Sequence, residues 1–393
     1  MDVPNAAVLH GRGMGRFAER DFAKSPLIVF YEVTKACDLV CRHCRASAQP
    51  QSDPNELSTE LAKRLIDQLA SFSVQPMLVL SGGDPLKRPD IYELVRHSAE
   101  SGLETAITPS PTPLVTTGAI ARLKEAGVHR MAVSIDGADA ATHDGLRGVA
   151  GSFDQTQRIM RDARALNIPV QVNTTLNPAN YGQIEAMADM LAGHGIVLWS
   201  LFLIVPVGRA TADLRMTGEQ YERAFARIYA QSLKQPYGIK TTEGMHYRRY
   251  VAQRRVRAKQ EAARAGAPSP AGGMPAGPPR GRDGRPGHPQ FLTTGVNDGK
   301  GVMFISHAGL IHPSGFMPLV CGMFPFNSVV DVYQNAPIFR RLREPDTFEG
   351  KCGYCEFRNL CGGSRARAFN VAGSPYAAEP DCVYQPAGVP AAV

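Results

Sequence analysis

The chain has 393 residues, room for a barrel-sized domain and a second unit behind it. Hydrophobic residues are 44% of it, as in a globular protein, and no run approaches the ~20 apolar residues of a membrane span. The net charge of +7 is local, because residues 245–290 hold ten Lys or Arg against two acidic residues, which leaves the rest near neutral.

Residues 1–25 are dotted with Gly and Arg, lack the apolar core of a signal peptide, and read as a tail of a cytoplasmic chain. Six apolar, β-rich runs follow, at 27–33, 77–80, 105–108, 129–134, 170–174 and 197–205. Helical periodicity fills the intervals at 59–71, 89–101, 117–126, 153–166, 184–193 and 217–233. Strands alternating with helices of this length predict βαβ units and a parallel α/β sheet over 26–245. In closed or partial parallel barrels the chemistry sits where the strands end, at their C-terminal side.

The first run ends in Cys37, Cys41 and Cys44, a C-x3-C-x2-C spacing. Three thiolates in one short loop can hold three corners of a cubane iron–sulfur cluster, leaving the fourth iron open to a small molecule. A disulfide with a spare thiol, or three of four zinc ligands, would use the same residues. The second run ends in Ser81-Gly82-Gly83-Asp84-Pro85, whose glycines let backbone groups approach a ligand. The third ends in Thr108-Pro109-Ser110. The fourth ends in Ser134-Ile135-Asp136-Gly137, followed by His143 and Arg147-Gly148; a turn and helix cap would use these residues equally well. Asn173 lies at the end of the fifth. Pro206-Val207-Gly208-Arg209 follows the sixth and has no role legible in the sequence.

Beyond the barrel, Glu243–Tyr250 is placed to line its mouth or to begin an ordinary amphipathic helix. Residues 246–290 read as a basic linker, dense in Gly, Pro and Ala over 265–289. Its basic run at 254–259 lacks interleaved aromatic residues and belongs to no nucleic-acid-binding module, so a solvated face is the simpler reading. Residues 291–393 open with a hairpin at 301–305 and 310–312 and hold the other cysteines: Cys321, Cys352, Cys355, Cys361 and Cys382. C-x2-C-x5-C with a later cysteine is a metal signature, with zinc as the alternative to iron–sulfur.

The run from Leu27 through Thr34-Lys35-Ala36-Cys37 and Cys41-Arg42-His43-Cys44 resembles the radical S-adenosylmethionine (SAM) superfamily. The resemblance implies a partial (β/α)6 barrel and a [4Fe-4S] cluster on Cys37, Cys41 and Cys44 whose open iron chelates SAM. It also implies cleavage of SAM to a 5′-deoxyadenosyl radical that abstracts hydrogen, with electrons from a donor such as a flavodoxin or ferredoxin. Gly82, Gly83 and Asp84 match the family's Gly-Gly-Glu-Pro, which receives the SAM amino group, with Asp in place of Glu. Ser134, Arg147 and Asn173 match positions that contact SAM, whereas Thr108 and Ser110 depart from the usual Thr-Asn-Gly. The C-terminal cysteines resemble a reduced SPASM extension, a small auxiliary-cluster domain. Cys352, Cys355, Cys361 and Cys382 match the ligands of its outer cluster, a second [4Fe-4S]. Cys321 is left alone, and Arg365 stands where a further cysteine would be. The Cys41–Ala48 segment and Cys361–Ala368 are similar to members that act on haem precursors, implying oxidative decarboxylation of iron-porphyrin propionates; sister branches modify ribosomal peptides. Only 26 residues precede the first strand, against roughly 80 for the peptide-binding domain that many peptide enzymes carry, so no fused one is expected. For a porphyrin substrate, Arg248 and Arg249 would suit the carboxylates and His246 the iron.

Overall fold

The structure, a computed structural model, describes residues 20–264 and 295–387. Most of the expected tail and the whole Gly/Pro-rich stretch 265–289 lie outside the described residues.

The barrel half runs β1 (Ile28–Thr34), α1 (Thr59–Ala70), β2 (Met77–Gly82), α2 (Ile91–Glu100), β3 (Thr105–Ile107), α3 (Thr117–Glu125) and β4 (Arg130–Ser134). It continues through α4 (Ala140–Arg147), α5 (Ser152–Ala165), β5 (Val170–Leu176), α6 (Ile184–His194), β6 (Leu198–Leu203), α7 (Gly218–Lys234), β7 (Gly238–Thr242) and α8 (His246–Arg264). Local chemistry starts and stops these elements. Ser58 caps α1 by accepting from the Leu61 N–H, and Ala62, Leu65, Ile66 and Leu69 recur at helical spacing to bury one face. Each of those Leu and Ile side chains contributes about 1.5–3 kcal/mol by leaving water. Thr217 and Gln220 form a reciprocal capping box on α7.

All seven strands are parallel and paired in sequence order. The six expected strands are there. The seventh, β7, reads Gly-Ile-Lys-Thr-Thr and escapes a hydrophobicity search because its inward positions are Lys240 and Thr242. Helix α4 is also additional, eight residues bounded by the Asp139 cap and left-handed Gly148.

The C-terminal segment does not form a sheet of its own. After β8 (Asn297–Asp298), β9 (Gly301–Ile305) pairs in parallel with β1, and β10 (Leu310–His312) and β11 (Gly322–Met323) continue outward antiparallel. The order is therefore β11-β10-β9-β1-β2-β3-β4-β5-β6-β7, with β8 beside β9. The expected hairpin exists, but it extends the barrel sheet. The helices α9 (Val329–Asn335), α10 (Pro337–Leu342), α11 (Gly350–Tyr354) and α12 (Arg365–Ala372) follow. One apolar core runs from Val29 through Trp199 to Phe339, across both segments. The interval expected as a linker from residue 246 begins instead as the helix α8, because His246, Tyr247 and Val251 bury one face against the barrel.

Candidate active site

At Thr34 the chain leaves β1 and enters the three-cysteine loop, which three other strand ends then hold. From β2, the Gly83 N–H donates to the Thr34 carbonyl at 2.8 Å and the Asp84 N–H to the Ala36 carbonyl at 2.6 Å. A Cβ on Gly82 or Gly83 would stand 2.3 Å from a carbonyl oxygen of that loop, so both positions require glycine. From the far side of β4, Arg147 lies 3.8 Å from the Cys41 sulfur while its Nε donates to Asp136 at 2.7 Å. Beyond β6, Arg209 donates to the Cys41 carbonyl at 2.9 Å and the Ala48 carbonyl at 3.0 Å. Pro206–Arg209, opaque in the sequence, is thus a clamp on the cysteine loop. Arg45 and His307 both bond the buried Glu32 carboxylate at 2.8 Å, which ties the loop to β1 and to the C-terminal hairpin. This triad had no sequence signal, because its members lie as far as 275 residues apart.

The donors around the sulfurs suit thiolate ligands. The Leu39 N–H points at Cys37 Sγ from 3.4 Å, the Ser110 hydroxyl lies at the same distance, and the Ala48 N–H stands 3.5 Å from Cys44 Sγ. None of the cysteines is in a disulfide. Burial pushes the Cys37 and Cys41 thiols up, with the Arg147 cation opposing it at Cys41; a bound metal would deprotonate both. Among the described residues no three His, Cys, Asp or Glu side chains converge as they would on a single ion.

Of the SAM-contact candidates, Ser134 at the end of β4 is the register partner of Asn173, which lies in the middle of β5 because that strand runs on to Leu176. Asn173 Oδ1 accepts from Gln171 at 2.8 Å. Asp84 and Arg147 are placed otherwise. The Asp84 carboxylate is fully buried and accepts from the Leu86 and Ser110 N–H groups and from the Thr112 hydroxyl, so it braces the loop beneath Cys37. Arg147 directs Nε and Nη2 at Asp136 and Nη1 at Cys41. Its fork is committed to protein groups; a sequence cannot show which carboxylate an Arg meets. Burial opposes ionisation of Asp136, yet Arg147 foremost holds its carboxyl below the usual range.

The second cysteine site is a small pocket lined by Cys352, Cys355, Cys361 and Cys382 together. Backbone N–H groups again address the sulfurs: Glu379 to Cys352 at 3.2 Å, Phe357 to Cys355 and Gly363 to Cys361 at 3.4 Å. Arg365, where a further cysteine was sought, places Nη2 3.7 Å from Cys352 Sγ and caps the Ala377 carbonyl at 2.7 Å. His246 also lines this pocket, fully buried, packed on Phe225, with neither ring nitrogen partnered. Four cysteines and an unpartnered imidazole lining one pocket are a donor set that suits a sulfur-rich anionic group. Cys321 stands apart, its thiol facing the Leu319 carbonyl at 3.6 Å and pushed up to about 12 by burial.

The substrate candidates therefore separate. His246 and Arg249 share one face of α8 and point to the cysteine pocket, where Arg249 pairs with Glu222. They do not line a barrel mouth. Arg248, off that face, donates to the Leu360 carbonyl at 3.3 Å and acts on Lys240, a β7 cation directed into the barrel. A second bolt joins the two segments: fully buried Arg367 meets Glu379 and Asp381, each at 3.0 Å, and donates to the Glu243 carbonyl at 2.8 Å.

The sequence profile of the Radical SAM superfamily matches residues 31–191, which include the first cysteine loop and the ends of β2, β4 and β5. The AdoMet-dependent heme synthase of Oleidesulfovibrio alaskensis is 37% identical over 93% of this chain and 89% of its own. The chain belongs to the radical SAM superfamily. A second relative, the AdoMet-dependent heme synthase of Methanosarcina barkeri, is 33% identical over 92% of this chain and 97% of its own. In fold, this radical SAM enzyme matches Streptococcus suis SuiB bound to S-adenosylmethionine, with TM-score 0.66 and 17% identity over 92% of this chain and 78% of that one. Membership implies a [4Fe-4S] cluster and SAM, and the thiols after β1 with the glycine pair at the end of β2 fit both. No helix among the described residues is long and apolar enough to cross a membrane.

Proposed function

We propose that this enzyme converts propionate side chains of an iron-porphyrin to vinyl groups. The observation that carries the reading is the near full-length likeness to proteins named AdoMet-dependent heme synthase. When bound, the first cluster and SAM supply a radical that takes one hydrogen atom from the carbon β to a carboxylate. The propionate then loses CO2 and one electron, which balances a vinyl product. Cys352, Cys355, Cys361 and Cys382 would hold a second [4Fe-4S] cluster, which would supply a one-electron acceptor, and a flavodoxin- or ferredoxin-class donor would supply the electrons needed at Cys37, Cys41 and Cys44.

The chain's own residues position and enclose these groups. Gly82, Gly83, Arg147 and Arg209 fix the first loop against the strand ends, while Ser134 and Asn173 present polar groups to the interior beside it. Arg367 and the β1–β9 pairing keep the second pocket at a constant distance from the barrel. Cys321 takes no cluster of its own in this scheme.

The test is anaerobic incubation of the reconstituted enzyme with SAM, a reductant and iron-coproporphyrin III, with mass spectrometry of the porphyrin. Two successive losses of CO2 and two hydrogens are expected from the wild type. Cys41→Ala should abolish SAM cleavage, and Cys355→Ala should leave uncoupled cleavage with little product. Porphyrin returned unchanged while a peptide substrate changes mass would overturn the reading in favour of peptide modification.

A further inference from the structure

Strand residues of this barrel divide cleanly between two faces. Met131, Val133, Val172, Trp199 and Leu201 lie in the apolar core beneath the helices. Their neighbours Arg130, Ser134, Asn173, Ser200 and Lys240 take the opposite face, toward the barrel interior. Ser134, Asn173, Ser200 and Lys240 are successive register partners from β4 to β7. Lys240 thus occupies the same rung as two SAM-contact candidates. Two strand spacings place its Cα about 10 Å from that of Asn173.

No acid answers this lysine. The charged groups that act on Lys240 are Arg130 and Arg248, both cations, and with burial they bring its ammonium down to about 8. Arg130 opens β4 at the end of the strands away from the cysteine loop, where its Nε is buried without a partner and Glu104, at the same end, acts on it. Arg248 faces Cys361 first and then Asp298 and Glu243, of which Asp298 also accepts from the Ala366 N–H at 2.8 Å and Glu243 from the Ser364 hydroxyl. Arg130 and Arg248 each have acidic groups acting on them, whereas Lys240 faces only cations, an unbalanced arrangement. It is relieved by an anion that enters with the substrate.

We propose that Lys240, backed by Arg130 and Arg248, is a carboxylate subsite inside the barrel that anchors one propionate of the porphyrin beside the SAM site. The proposal rests on the porphyrin reading and adds to it the residues that orient the substrate. A cation paired with a carboxylate holds its negative charge in place and opposes departure of CO2. The subsite therefore takes a propionate that is retained, and presents a neighbouring one to the radical.

The experiment is an anaerobic absorbance titration of cluster-loaded enzyme with iron-coproporphyrin III and, separately, with its tetramethyl ester. The wild type should prefer the free acid. Lys240→Met should weaken acid binding about tenfold to a hundredfold, the range of one charge-assisted hydrogen bond, and leave ester binding unchanged. Lys240→Arg should restore most of the preference. Iron content shows whether Lys240→Met has folded; if it has not, Arg130→Gln carries the same expectation. A folded variant that keeps the wild-type ratio of acid to ester refutes the subsite and leaves the porphyrin reading standing. A wild type that binds neither compound removes both.

Discussion

Replacing Arg367 by Met tests how much one buried cation, paired within the cysteine-rich segment and bonded to the barrel through the Glu243 carbonyl, stabilises the fold. The guanidinium is wholly buried, 3.0 Å from both Glu379 and Asp381, and it also reaches the Glu243 carbonyl at the end of β7. Met matches its bulk but leaves two buried carboxylates without that cation. Removing one partner of such a network costs about 3–5 kcal/mol. Unfolding entropy of about 2.1 cal/mol/K per residue gives about 0.8 kcal/mol/K for 393 residues, so the expected fall in Tm is about 5 °C. Asp381 keeps Arg215 at 2.6 Å, so most of the loss should fall on Glu379. The Arg367→Met/Glu379→Gln double variant should therefore recover a large part of it. The assay is thermal unfolding followed by circular dichroism under anaerobic conditions, with iron content measured on each sample. A fall of less than about 1 °C, or a double variant no better than the single one, would refute the role assigned to this ion pair.

Gly83→Ala drives a Cβ against the Ala36 carbonyl at 2.3 Å and should cost the first cluster while sparing the second. Iron content should drop by about half with loss of SAM-dependent spectral change, and full iron with normal SAM binding would contradict the clamp. His143 is buried, accepts from the Asp136 N–H at 2.9 Å, and titrates at about 4 rather than near 6.5. Its folded pKa lies below its unfolded one, so the unfolded chain binds the extra proton between those values. Stability is therefore lost as pH falls from about 6.5 to about 4, by at most about 1.4 kcal/mol per pH unit. His143→Asn should flatten that part of a denaturation-versus-pH curve; an unchanged slope would show that another group is responsible.

The sequence by itself determined the parts whose signal is local. Alternating strand and helix runs specify the parallel barrel, because hydrophobic periodicity and caps act over a few residues. The spacing of Cys37, Cys41 and Cys44 and the Gly82-Gly83 pair carry their chemistry in ten residues or fewer, as do Cys352, Cys355 and Cys361. Tertiary structure alone decided which partner each charged side chain meets. Arg147 fits a ligand carboxylate on paper, yet its fork is satisfied by Asp136 and the Cys41 sulfur. Arg209 with Cys41, and His307 with Glu32, close contacts across 160 residues or more, which no local pattern encodes. The same holds for β9, whose parallel partner β1 lies some 270 residues earlier, so that a segment read as separate completes the barrel sheet. Helix α8 shows the division at single-residue scale: its residues read as linker in the sequence, and its rotation sends His246 and Arg249 to the cysteine pocket and Arg248 toward Lys240. That rotation is set by the burial of Tyr247 and Val251, a packing choice made by the whole core.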